Sequence, residues 1–246
     1  MSAPLPNNTG AALLYSKGCA TRFRNTFALD LAALLMLAYS LCRVFLTTPN
    51  EKMQGTVQRI FYYHVPFAWV ALFAFFMVFI FSILYLARRR EWMDAMAVSN
   101  AEVGVFFCTL VLITGPLWAK PVWGVYWDWD ARLTSTFVLW LIYLGYMLLR
   151  AFVHDTHRRA VLSAAVGIFG FLDVPLVYFS IRLFNTQHPK PVIAGGEGSG
   201  LAPVMRNTLF ICLIAITLFY VCLLVRRYRL ERLRQEAETL WEEAGA

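Results

Sequence analysis

Residues 120–133, KPVWGVYWDWDARL, hold the densest chemistry in the chain. Three tryptophans (Trp123, Trp127 and Trp129) and Tyr126 fall within seven residues, interleaved with Asp128 and Asp130 and followed by Arg132. As a strand, the three indoles share one face and the two acids the other. As a helix at about 100° per residue, Trp123, Tyr126, Trp127 and Asp130 share a face and Trp129 leaves it. Either way the segment offers a flat aromatic surface beside acid and Arg132. Aromatic belts at membrane interfaces are the ordinary explanation for such residues. A belt does not require alternating Trp-Asp-Trp-Asp, whereas a large planar apolar ligand would stack on such a surface.

The chain has four histidines: His64, His154, His157 and His188. His154 and His157 lie beside Arg158 and Arg159 and read as solvated. His64 stands in Tyr62-Tyr63-His64-Val65-Pro66 and His188 in Asn185-Thr186-Gln187-His188-Pro189. A lone interfacial histidine is usually just solvated or hydrogen-bonded. Two of them beside one aromatic loop form a candidate axial pair, because imidazole suits iron and histidine is a common heme ligand. Heme propionates would need cations, and Arg59, Lys120, Arg132 and Lys190 are the candidates on that side.

These residues must be positioned by membrane spans. The chain of 246 residues is 59% hydrophobic and 15% charged, with a mean hydropathy of +0.58. Soluble domains carry about 45–50% apolar and about 25% charged residues. A span needs roughly 20 apolar residues, and six runs qualify: Phe27–Leu46, Val65–Ala87, Ala101–Ala119, Thr134–Val153, Ala160–Phe184 and Val204–Val225. Runs of this length in lipid are helical. The expected fold is an all-α membrane protein, a bundle of six transmembrane helices.

The net charge is +7. In a soluble chain that excess would suggest nucleic acid; here its distribution matters more. Fourteen of the 22 lysines and arginines fall in the N-terminal segment, the 88–100 and 150–159 connections and the tail after 225. Six fall in or beside the other connections, 47–64, 120–133 and 185–203, while Arg43 and Arg182 lie within spans. The positive-inside rule then places both termini in the cytoplasm and the tryptophan loop, His64 and His188 together outside. Three regions are expected: a cytoplasmic segment 1–26, the six-span domain 27–225, and a charged cytoplasmic tail 226–246 read as a solvated amphipathic extension.

Five cysteines, Cys19, Cys42, Cys108, Cys212 and Cys222, form no CxxC pair and no CxxCH. This excludes a disulfide framework of the usual spacing and covalent c-type heme on this chain. Asp173 lies near the middle of the fifth run, two residues before Pro175. An intramembrane acid is a functional candidate by default; its bland counterpart, slightly favoured here, is an acid facing the bundle beside a proline kink. Asp30, Arg43, Glu102 and Arg182 lie near span ends and can snorkel.

The run Trp123-Gly124-x-x-Trp127-x-Trp129-Asp130-x-Arg132-Leu133-Thr134 resembles the "WWD" signature of the heme-handling membrane proteins. The six spans, the Tyr-x-His-Val-Pro context of His64 and the Asn-Thr-x-His context of His188 look like the CcmC group of cytochrome c maturation proteins, over roughly residues 27–225. That resemblance implies a multi-pass protein of the bacterial inner membrane that binds heme b noncovalently and transiently at its periplasmic face. His64 and His188 would be the axial ligands, and Trp123, Tyr126, Trp127, Trp129 and Asp130 the heme-contacting loop. It further implies delivery to the heme chaperone CcmE, with the CcmA/CcmB ABC transporter and small CcmD as partners. The role would be transfer rather than catalysis, though compatible with promoting covalent attachment of heme to the chaperone. Pro189, the Gly-rich stretch 195–200 and the first 26 residues have no assigned place in it.

Two other functions fit parts of the sequence. A b-type electron-carrying cytochrome would hold heme between histidines buried mid-span, and no histidine here is mid-span. A heme-conducting transporter subunit is compatible with the spans, but no Walker A sequence occurs, so the chain cannot power export itself.

Overall fold

The computed structural model describes residues 9–184, 188 and 201–243, with side chains described from residue 26 onward. Among these residues the chain is helical, with no strand beyond an isolated bridge between Glu51 and Gly55. Helix α1 covers Thr9–Cys42, α2 Phe61–Arg88, α3 Glu91–Trp123, α4 Ala131–Phe152, α5 Thr156–Phe171, α6 Asp173–Leu183 and α7 Pro203–Glu243. A π turn over Arg43–Thr47 and a 3-10 turn over Thr56–Ile60 flank the first outer connection. Six helical stretches are long and apolar enough to cross a membrane, α5 and α6 together making the fifth.

That fifth crossing is broken for a local reason. Pro175 has no backbone N–H, and its ring would clash with the carbonyl four residues back. That carbonyl belongs to Phe171, where α5 ends. The chain turns at Leu172 and restarts at Asp173, which leaves Pro175 in the first turn of α6, where proline is tolerated. The expected single span Ala160–Phe184 is therefore two helices. The third crossing does the reverse: α3 runs through Gly115, Pro116 and Pro121 to Trp123. The outer tryptophan segment is accordingly shorter than the expected 120–133, since Trp123 ends a helix and α4 begins at Ala131.

The core is shared by five helices. Val70, Ala74, Phe75 and Val78 of α2 meet Ala97, Ala101 and Val105 of α3, Leu139 and Tyr143 of α4, Val177 of α6 and Ile216 of α7. Phe75 stacks on Tyr143 with ring centroids 3.9 Å apart. The α2–α3 approach is close enough that a Cβ at Gly104 would lie 2.7 Å from Phe75. Outward faces carry exposed Leu34, Leu35, Leu148, Phe152 and Phe169, as a lipid-facing surface requires.

At the end of the bundle that carries both α1's start and α7's finish, charge is paired. Arg150 is bidentate to Asp94, at 2.7 and 2.9 Å, and reaches Glu231 at 3.4 Å. Arg227 bonds Glu102 and, at 2.9 Å, Glu231. Arg159 bonds Glu238 at 2.6 Å. The tail expected to be a solvated extension is thus a continuation of α7, with Glu231 only 1% exposed.

Candidate functional site: a cleft between two histidines

The opposite end of the bundle holds a cleft lined mainly by apolar side chains. Three helices line it at helical spacing: His64, Ala68, Ala71 and Leu72 from α2, Cys108, Leu112, Gly115 and Ala119 from α3, and Arg132, Thr136 and Leu139 from α4. Each helix contributes over at least seven residues, so the cleft is about 10 Å deep at 1.5 Å per residue. Trp123, Trp127 and His188 close its outer rim.

His64 sits in the first turn of α2 and is 7% exposed. Its ring centroid lies 6.5 Å from that of His188, with the ring planes 32° apart. Trp118 packs edge-on against His64 at 5.8 Å, and Trp123 lies 6.4 Å from His188. His64 Nδ1 is 2.8 Å from Thr114 Oγ1, which also lies 2.7 Å from the Leu110 carbonyl oxygen. A Cβ at Gly115 would stand 3.4 Å from His64 Cε1, so the absent side chain there leaves room beside the ring.

The tryptophan segment is set by its two helix ends. Gly124 takes φ +80° and its N–H bonds the Lys120 carbonyl at 3.0 Å, the left-handed helix stop that glycine adopts without strain. Asp130 caps α4, its carboxylate accepting from the Leu133 N–H at 2.8 Å. Between these stops the segment is neither strand nor helix. Trp127 lines the cleft and packs edge-on against Trp129 at 5.6 Å, while Trp129 itself is 71% exposed. Trp127 Nε1 and Arg132 Nη1 are both buried without a hydrogen-bond partner.

The structure sorts the sequence candidates. His64, His188, Trp123, Trp127 and Arg132 converge on one cleft. Tyr126 is exposed, with Lys120 over its ring at 5.2 Å, and Lys120 Nζ donates to the Gly124 carbonyl at 2.8 Å. Arg59 donates to the Phe45 carbonyl at 3.2 Å and covers the Phe45 ring. Tyr126, Trp129, Asp130, Lys120 and Arg59 are not among the residues lining the cleft. Asp173 begins α6 and is not among the lining residues, with Oδ2 buried and unpartnered. Lys190 and the 195–200 stretch lie outside the described residues. Trp118, Thr114 and Gly115 were missed. Stepping back from Trp123 by three or four residues along α3 gives Ala119, Gly115, Leu112 and Cys108, so the helical period carried that signal.

Fold and cleft together define a polytopic α-helical membrane protein with imidazole and indole side chains gathered at one end of its bundle. The chain belongs to the heme exporter protein C family, whose model matches residues 16–243. It is 36% identical over 209 residues to the heme exporter protein C of Bradyrhizobium diazoefficiens, covering 85% of this chain and 79% of that one. It is 31% identical to the namesake from Haemophilus influenzae, covering 80% of each. A putative cytochrome c biosynthesis ccmC-like mitochondrial protein of Arabidopsis thaliana is 33% identical over 72% of this chain and 66% of its own.

Proposed function

We propose that this protein binds heme b noncovalently between His64 and His188 at the periplasmic face of the bacterial inner membrane and hands it to the chaperone CcmE for cytochrome c assembly. The observation that carries the reading is the spacing of the two rings. Metal–imidazole nitrogen bonds are about 2.0–2.1 Å. A ring centroid lies about 1.1 Å behind its nitrogen, so two axial imidazoles on one metal stand about 6.3 Å apart between centroids. The rings here are 6.5 Å apart.

The remaining walls suit a tetrapyrrole. Trp123 and Trp127 supply aromatic faces at the rim, and Ala71, Leu72 and Leu139 an apolar floor. Arg132 Nη1 is buried and without a partner, which supports assigning its guanidinium to a propionate. Lys120 and Arg59 are held by backbone carbonyls instead. The role in this reading is delivery rather than catalysis, with Trp123, Trp127 and His188 at the end of the cleft where a partner would meet the heme. CcmA, CcmB and CcmD are the partners of this reading, with residues 27–225 as the heme-handling domain, 1–26 and 226–246 as cytoplasmic segments, and the basic end of the bundle in the cytoplasm by its excess of arginine.

The test is spectroscopic. Purified protein is expected to carry noncovalent, low-spin heme, and His64→Ala and His188→Ala should each change its absorption spectrum. Two single variants that keep the wild-type low-spin spectrum would overturn the axial assignment. Association with CcmE is expected to depend on heme and to weaken in Trp127→Ala.

A further inference from the structure

We infer that Thr114 is a positioning residue for the heme iron: its hydroxyl fixes the tautomer of His64 so that Nε2 presents its lone pair to the metal. This rests on the bis-histidine reading above, and it deepens it by naming a residue that never touches the cargo.

The inference follows from counting protons. Thr114 Oγ1 lies 2.7 Å from the Leu110 carbonyl oxygen. Two oxygens at that distance need a hydrogen between them, and a carbonyl has none to give. The single hydroxyl proton of Thr114 is therefore spent on Leu110. Thr114 Oγ1 also lies 2.8 Å from His64 Nδ1. With its own proton committed, the hydroxyl oxygen can only accept there, so Nδ1 carries the hydrogen. In a neutral imidazole the lone pair is then on Nε2. The same bond fixes the ring's rotation, leaving the other edge of His64 toward the cleft.

The neighbouring residue makes that edge usable. Gly115 leaves space next to Cε1, the atom between the two ring nitrogens. Consecutive residues of one helical turn thus border the ring: Thr114 anchors the far nitrogen, and Gly115 puts no side chain next to Cε1. Metal-bound histidines generally donate their second ring N–H to an outer partner, which raises the basicity of the ligating nitrogen. A hydroxyl oriented by a helix carbonyl serves that purpose here.

The experiment compares full-length Thr114→Val and Thr114→Ser with wild type and His64→Ala, each titrated with heme in detergent. Affinity, absorption spectrum and reduction potential are read for each protein. Valine keeps the shape of threonine and removes the acceptor; serine keeps the acceptor. Thr114→Val is expected to bind heme about 10–100-fold more weakly, with part of the low-spin signal lost. Its potential should rise, because a less basic imidazole stabilises ferric iron less. Thr114→Ser should restore all three readouts. Wild-type affinity and potential in Thr114→Val, alongside a lost low-spin signal in His64→Ala, would overturn the role of Thr114 and leave the axial reading standing. So would a serine variant as impaired as the valine one. An unchanged spectrum in His64→Ala would instead remove the axial reading, and Thr114's role with it. Size-exclusion profiles identical to wild type keep a folding defect from imitating any of these results.

Discussion

Two arginines at opposite ends of the bundle show how differently the protein treats charge. Arg150, 6% exposed, is held by Asp94 and Glu231. Arg132 forms no ion pair among the described residues, and its Nη1 is buried without a partner. Both sit on α4, one at each end of the same helix. At the first end, α3, α4 and α7 are tied by ion pairs. At the second, a guanidinium nitrogen of Arg132 and the indole N–H of Trp127 are buried without a hydrogen-bond partner beside an apolar cleft. Unpaired buried polar groups are costly in a folded protein, and in the heme-binding reading Arg132 is the group that a ligand would satisfy.

Three arginine variants test that contrast. The largest effect is expected at the paired end. Arg150→Leu strands Asp94 in a buried setting and leaves Glu231 with Arg227 alone, and breaking such a buried pair typically costs about 3–5 kcal/mol. A thermal melt in detergent should show that loss, while protein that remains folded should keep its heme spectrum. A wild-type melt would mean that the network does not hold the helices together.

Arg132→Gln should act in the opposite way, sparing the melt and weakening heme binding. Hydrogen bonds to charged groups are worth about 1.5–3 kcal/mol, which would read as roughly 10–150-fold in affinity. The dimethyl ester of heme has no propionate charge and should bind wild type and Arg132→Gln alike. Equal weakening for both ligands would rule out a propionate as the partner of Arg132.

The smallest effect is expected for Arg226→Ala. Arg226 pairs with Asp30 at 2.7 Å, linking α7 to α1, but its side chain is 61% exposed. Exposed pairs contribute about 0–1 kcal/mol. A melt shifted as far as that of Arg150→Leu would show that burial is not what separates the two pairs.

Much of this was readable before the fold was known. The six crossings follow from runs of apolar residues about as long as the bilayer is thick. The tryptophan segment and the two outer histidines announced themselves by residue type, and the charge asymmetry put them on one side of the membrane. Other features were hidden because they depend on which helices touch. Asp94 and Glu231 are 137 positions apart, and neither looks like more than a surface acid until Arg150 stands between them. Lys120 and Arg59 looked as good as Arg132 for a propionate. Their stems place them on backbone carbonyls, and no sequence pattern distinguishes a lysine that turns back on its own loop from one that faces a cleft.

The residues alone were enough to read a membrane bundle with one aromatic, histidine-bearing end, because hydrophobic length and residue chemistry act locally. Tertiary contacts set the 6.5 Å between the rings of His64 and His188, the reach of Thr114 to the ring of His64, and the passage of α7's charges into a buried network. Those are distances between residues remote in the chain, and they come into being only when helices pack at a particular rotation and depth.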